Sequence, residues 1–224
     1  GKIMVEHLKI IAIEKATHDV LHITTVKPEN INYHAGQAAD ISINKPNWEN
    51  ELRAFTFTSL PTDKYIEFTI KTYPQHNGVT NQLLTLKTGD ELLLHGVFGT
   101  IAYKGEGVFI AGGAGVTPFI AIYKQLEKDG KVGNNKLLFA NKTRADIIQE
   151  EKFKALLGKN FINILSEEKL EGFEYGYITE ELLKRHIDGE GYIYLCGPEP
   201  MMDAVEKQIS ILGIEKERVV KEVF

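Results

Sequence analysis

The run VFIAGGAGVTPFIAIYKQL, residues 108–126, constrains the fold more than any other stretch of this chain. An apolar segment meets Gly112, Gly113 and Gly115, then Thr117 and Pro118. Beyond them Phe119, Ile122, Tyr123 and Leu126 recur at the i, i+3, i+4, i+7 spacing of an amphipathic helix. A buried strand that turns directly into a helix is the start of a strand–helix–strand unit. Such units imply a parallel sheet with helices on its faces. The rest of the C-terminal half repeats the alternation. Strands are expected at 108–111, 136–141, 161–165, 192–195 and 219–223, and helices at 118–128, 146–157, 179–186 and 200–212.

Before residue 104 the period is different. In YIEFTIK, residues 65–71, Ile66, Phe68 and Ile70 fall on one face and Glu67, Thr69 and Lys71 on the other. Short segments of the same kind occur at 8–14, 21–26, 39–43, 53–59 and 91–95, separated by turn clusters such as KPEN, NKPN, LPTD, HNG and KTGD. Regularly spaced short strands with such turns indicate an antiparallel barrel or sandwich. The change of period predicts two domains, 1–103 (β-barrel) and 104–224 (α/β, parallel sheet), with YKGEG at 103–107 as the hinge.

Composition narrows the function classes. With 43% hydrophobic residues in 224, the chain has enough core for two small domains. A net charge of −5 with 25% charged residues argues against disorder and against a nucleic-acid binder. No apolar run approaches the roughly 18–20 residues of a membrane span. The opening GKIMVEHLKI lacks the architecture of a secretory leader. The single cysteine, Cys196, leaves no disulfide, no cysteine-ligated zinc and no all-cysteine iron–sulfur cluster, so a reducing, cytoplasmic setting is expected. The chain is expected to be a monomer. Six of the seven histidines lie before residue 104 and none has metal-ligand spacing with a carboxylate on one helix, so no metal is expected.

Ligands of an open parallel sheet sit beyond the carboxyl ends of its strands, which is where GGAGVTP falls. Glycines allow the tight turn and leave the backbone approachable. Thr117 can cap the helix and Pro118 suits its first position. Exposed N–H groups and the helix dipole then favour an anion such as a pyrophosphate. A ligand-free tight turn has the same composition, and Pro118 stands where the common dinucleotide fingerprint has its third glycine. A second turn supports the first: in YLCGPEPMMDAV an apolar strand ends in Cys196, Gly197 and Pro198, placing the cysteine at the lip of the same crevice. A third motif, RAFTFTS, puts Arg53, Phe55, Phe57 and Ser59 on one strand face. Arg53 is either a snorkelling surface arginine or the planar fork for a phosphate. After the second strand of the α/β half, ANKTRAD supplies Lys142 and Arg144. Two cations there fit a nucleotide 2′-phosphate better than a ribose diol and favour NADPH over NADH; a solvated basic loop is the plain alternative.

RAFT, GGAGVTPF, CGPEPMM and the ending KEVF, in this order, resemble the motifs of the ferredoxin–NADP⁺ reductase superfamily, in particular its stand-alone flavodoxin and ferredoxin reductases. The resemblance covers almost the whole chain. It implies a Greek-key flavin-binding barrel followed by a five-stranded nucleotide domain. It further implies that Arg53 pairs with flavin phosphate, Phe55 packs on the flavin ring and Thr56 hydrogen-bonds near its N5. Ile70, Lys71 and Thr72 would line the flavin tail, and Gly78, Val79 and Thr80 would form a second phosphate turn opening a short helix. Gly112, Gly113, Ala114, Gly115 and Thr117, with Gly197 and Pro198, would hold the nicotinamide nucleotide. Cys196 would lie near its reactive carbon; Phe224 would stack on the flavin where nicotinamide arrives, with Glu222 assisting. Two positions depart from the family pattern: Phe55 replaces the usual tyrosine and Thr80 the usual serine.

The activity implied is hydride transfer from NADPH or NADH to FAD (FMN being the lesser alternative), then single electrons to flavodoxin or ferredoxin. A free-flavin reductase, the reductase component of a multi-chain oxygenase and a nucleotide-sensing module without turnover are the other readings.

Overall fold

The computed structural model describes residues 4–223, and the chain divides into two compact units. The first runs to Ala102 and takes in Ile120–Gln125; the second comprises Tyr103–Phe119 and the chain from Leu126 onward.

The first unit holds strands β1 (Glu6–Thr17), β2 (Val20–Val26), β3 (Ala38–Ile43), β4 (Arg53–Thr56), β5 (Tyr65–Lys71) and β6 (Glu91–Phe98), and the short helix α1 (Val79–Leu83). They form an antiparallel sheet in the order β4-β3-β6-β1-β2-β5. The two ends of that order meet. Phe57, just beyond β4, bridges Phe68 of β5, and the Thr58 N–H donates to the Glu67 carbonyl at 2.8 Å. The sheet therefore closes into a barrel, as the turn-punctuated alternation predicts. Ile66, Phe68 and Ile70 point inward with Leu8, Ile23, Ile41 and Leu92. Tyr33 stacks on Phe57 with ring centroids 3.9 Å apart, and its hydroxyl meets Ser59 Oγ at 2.8 Å. Burial pushes the Tyr33 phenol up to about 12. The strand expected over 53–59 stops at Thr56. From Phe55 to Ser59 every residue is buried, because here the chain leaves β3 and crosses to β5, and both of its faces are covered.

The second unit holds β7 (Gly107–Gly112), α2 (Thr117–Lys128, of which Ile120–Gln125 belong to the first unit), β8 (Lys136–Asn141), α3 (Glu150–Leu157), β9 (Phe161–Leu165), β10 (Glu174–Tyr175), α4 (Glu180–His186), β11 (Tyr192–Gly197), α5 (Glu199–Ile211) and β12 (Val219–Val223). The sheet is parallel throughout, in the order β10-β9-β8-β7-β11-β12. It has six strands where five were expected. The extra one, β10, is two residues long and pairs Glu174 with Ile164, too short to leave a periodic trace. Helix α3 begins at Glu150, later than the expected 146. Thr143 and Asp146 close a capping box of their own, and Gln149 then turns left-handed at φ 57°.

An aromatic stack runs through this unit: Phe109 lies 4.2 Å from Tyr194, and Tyr103 lies 5.9 Å from Tyr194. The Tyr194 hydroxyl accepts the N–H groups of Lys104 and Gly105 at 2.9 and 3.0 Å and donates to the Gly105 carbonyl at 2.6 Å. Asn135, with no exposed surface, accepts the Gly107 N–H at 2.8 Å and donates to the Tyr103 hydroxyl at 3.1 Å. The segment 103–107, expected as a hinge, is thus tied to the second unit. No helix among the described residues is long and apolar enough to cross a membrane.

Candidate functional site

In the second unit β7 lies between β8 and β11. The chain proceeds from β7 to β8, β9 and β10 on one side, then returns to β11 and β12 on the other. A crevice opens where such an order reverses, beyond the carboxyl ends of the strands. Both glycine turns lie there. Gly113–Val116 forms one 3₁₀ turn that runs straight into α2. A side chain at Gly115 would stand 2.7 Å from the Cys196 carbonyl carbon and the Gly197 Cα, so only glycine lets the two turns pack. One at Gly197 would stand 3.2 Å from the Gly112 nitrogen and 2.9 Å from Met201 Cε; one at Gly112 would meet Pro198 Cδ at 3.3 Å. Gly113 differs: its φ is 51° and its open side has no atom within 4 Å of a built Cβ. Gly112, Gly115, Gly197 and Pro198 are thus brought together, while Gly113 and the half-buried Ala114 form the accessible rim. The Thr117 hydroxyl donates to the Ala114 carbonyl at 3.0 Å, so the helical winding already begins at Gly113 rather than at a Thr117 cap.

Ala111, Cys196 and Glu222 stand in one row across β7, β11 and β12. The Cys196 side chain is fully buried. Burial pushes the Cys196 thiol up, and the Glu222 charge adds to the effect. A thiol in that state is protonated and inert. Its position differs from the expected open lip because β11 continues through Gly197 and carries Cys196 inside the sheet. Glu222 is half-buried; Phe224 lies outside the described residues.

Beyond the end of β8, Lys142 is exposed, and Arg144 is engaged. Its Nε and Nη2 donate to the two Glu150 carboxylate oxygens at 3.1 and 3.0 Å, and its backbone N–H donates to Glu168 Oε1 at 2.9 Å. The Phe173 ring lies 5.1 Å from the guanidinium. The Glu150 hydrogen bond holds the Arg144 pKa above its ordinary value.

In the first unit, Arg53 is exposed at the start of β4, and its Nη2 lies 4.0 Å from the position of a Cβ on Gly78. That closeness unites the Arg53 fork with the turn Gly78, Val79 and Thr80, two features far apart in sequence. A guanidinium beside an approachable backbone is the donor set a phosphate takes. Phe55 packs on Phe68 at 6.3 Å and is only 6% exposed, so its ring belongs to the barrel core. Thr56, next to it in sequence, is buried, as are Ile70 near the end of β5 and Thr72 just beyond it. The Thr72 hydroxyl donates to the Asp19 carbonyl at 3.0 Å. Val79 is buried; Thr80 Oγ1 accepts the Tyr73 N–H at 3.3 Å; and Lys71 Nζ lies 5.5 Å from the Tyr73 ring.

Two groupings escaped sequence reasoning. Tyr73 stacks on His76 at 5.7 Å and 12°, with Tyr73 42% exposed beside the Gly78 turn. The signal was present as two rings in TYPQH but has no periodicity. Glu67, on the face of β5 opposite Ile66, Phe68 and Ile70, accepts from Thr58 Oγ1 at 2.6 Å and Lys124 Nζ at 3.1 Å, with His22 Nδ1 at 3.5 Å. Burial pushes the Glu67 carboxyl up, but the His22 hydrogen bond, the Lys124 charge and the Thr58 hydrogen bond outweigh it and hold it at about 2.

Comparison with known proteins agrees with both units. Residues 7–103 match the oxidoreductase FAD-binding domain and residues 109–207 the oxidoreductase NAD-binding domain. The propane 2-monooxygenase reductase component of Rhodococcus jostii is 30% identical over 237 residues, covering 96% of this chain and 62% of that protein. The NADH oxidoreductase HCR of Escherichia coli is 32% identical over 222 residues, covering 95% of this chain and 66% of that protein. The chain thus spans under two thirds of the length of these relatives. Among solved structures, a ferredoxin NADP⁺ reductase from Neisseria gonorrhoeae superposes with a TM-score of 0.86 at 18% identity, covering 98% of each chain. The FAD/NAD-binding domain of a nitric oxide dioxygenase from Vibrio cholerae gives 0.86 at 23%, covering 97% of this chain and 98% of that one. At those identities the likeness concerns the fold. The FAD-binding barrel and the NAD-binding parallel sheet together make this chain a member of the ferredoxin reductase-like family of oxidoreductases.

Proposed function

We propose that this chain accepts hydride from a reduced pyridine nucleotide through bound FAD and delivers electrons singly to a carrier protein, a flavodoxin or ferredoxin. FAD, when bound, converts between two-electron and one-electron chemistry. The protein's task is to bind, orient and screen. The observation that carries the reading is the interlocked pair of turns beyond β7 and β11, open at Gly113. Gly113, Ala114 and the start of α2 present backbone N–H groups to the nucleotide's pyrophosphate. Arg53, with the Gly78 backbone, holds flavin phosphate; Thr56 offers its hydroxyl at the flavin edge; and Ile70, Lys71 and Thr72 border its tail. The Tyr73–His76 stack offers a surface for the adenine of FAD, a contact FMN lacks. Cys196 acts through its backbone, which sets how closely Gly115 packs, and Glu222 stands beside it in register.

A second reading, the reductase component of a multi-chain oxygenase, is favoured by the Rhodococcus relative, whose name states that role. The single-cysteine composition supports a cytoplasmic setting. The test is spectroscopic. The purified protein is expected to be yellow, to bleach on anaerobic addition of NADH or NADPH, and to recover its colour with ferredoxin or flavodoxin. Colour that neither nucleotide bleaches would leave only the binding-module reading.

A further inference from the structure

We infer that Glu150 selects the reductant: by occupying the Arg144 fork it makes this chain an NADH enzyme rather than an NADPH one. The inference rests on the pyridine-nucleotide reading above and names the substrate within it. A 2′-phosphate at the end of the second strand of such a sheet needs a cation, and a 2′-hydroxyl needs an acceptor. Arg144 stands at that place and would suit the phosphate if its fork were open. It is not open. Two of its N–H groups point at the two oxygens of Glu150, at 3.1 and 3.0 Å. The Glu150 side chain is 17% exposed and that of Arg144 50%, with the Phe173 ring 5.1 Å from the guanidinium, so the carboxylate is the anchored partner and draws the exposed guanidinium onto itself. The left-handed backbone of Gln149, at φ 57°, precedes Glu150 where α3 begins. A second carboxylate, Glu168, accepts the Arg144 backbone N–H at 2.9 Å.

An incoming phosphate would therefore meet the Glu150 carboxylate on the guanidinium and the Glu168 carboxylate on the Arg144 backbone N–H. A ribose diol would find oxygens able to accept its hydroxyl protons. Lys142 remains exposed nearby, but a single lysine is a point charge without the bidentate geometry.

The experiment uses the flavin-loaded protein and its Glu150→Gln and Glu150→Ala variants. Flavin content and thermal midpoint establish that each is folded. Two readouts are taken: kcat/KM for NADH and NADPH with ferricyanide as acceptor, and equilibrium titration with NAD⁺ and NADP⁺ followed by the flavin difference spectrum. The unaltered protein is expected to prefer the NADH pair by about tenfold or more. Both variants are expected to shift the ratio toward the phosphorylated pair by about tenfold, and Arg144→Ala added to Glu150→Gln should cancel that gain. A ratio unchanged within twofold in both folded variants, or an unaltered protein that prefers NADPH, overturns the inference while leaving the proposed function in place. A flavin that responds to neither nucleotide overturns both.

Discussion

Gly115 occupies a space that its neighbours have already filled. A methyl group there would stand 2.7 Å from the Gly197 Cα and the Cys196 carbonyl carbon, backbone that cannot rotate away. Gly115→Ala is therefore expected to cost about 1–3 kcal/mol, read as a lower urea midpoint, together with weaker pyridine-nucleotide binding as the two turns separate. Gly113 fails differently. The space beside it is open, but its φ of 51° penalises any Cβ by about 1–2 kcal/mol. Gly113→Asn should recover part of what Gly113→Ala loses, because asparagine tolerates that backbone; equal losses would assign the cost to packing instead. Sequence reasoning located both glycines and could not distinguish them. Composition reports that a Cβ is absent, whereas the reason depends on which strand end lies alongside. The same limit applies to Cys196. Its place after an apolar run was visible, but whether the strand continued for one more residue decided between an open thiol and a buried one.

At the scale of elements, periodicity carried nearly everything that repeats. The inward face of β5 and the apolar stripe of α2 follow from spacing alone, whereas β7 and β11 run on past the expected ends at Ala111 and Leu195 to Gly112 and Gly197. What escaped was made by single side chains acting across long sequence separations. Asn135 belongs to the loop between α2 and β8, yet it holds the first residue of β7 and the Tyr103 hydroxyl. Asn135→Ala leaves the Gly107 N–H without its 2.8 Å acceptor in a site with no solvent, at an expected cost of about 1–3 kcal/mol. The Gly107 amide should also exchange with deuterium faster than its neighbours in β7. A protected Gly107 in the variant would mean that β7 is held by the sheet alone. The barrel was expected, but the contact that closes it, Phe57 against Phe68, was not legible, since it depends on where β4 stops rather than on what it contains.

For the whole molecule, the two units rest on different kinds of stabilisation, and acid should separate them. The second unit's core is an apolar and aromatic stack whose Tyr194 phenol, pushed up to about 12 by burial, does not titrate near neutrality. The first unit contains Glu67, half-buried and charged, tied to His22, Thr58 and Lys124. A carboxyl held at about 2 instead of 4.5 contributes about 3 kcal/mol to folding. Because the folded value is the lower one, that contribution is complete above pH 4.5 and is lost as pH falls toward about 2. The barrel is therefore expected to unfold in acid before the parallel sheet does, as two separated transitions in far-UV circular dichroism and in flavin release. Glu67→Gln removes the charge that titrates. It should lower barrel stability at neutral pH by about 3 kcal/mol and flatten its dependence between those two pH values. If Glu67→Gln unfolds along the same acid profile as the unaltered chain, the acid sensitivity originates in other carboxylates, and the Glu67 cluster has no part in holding the barrel closed.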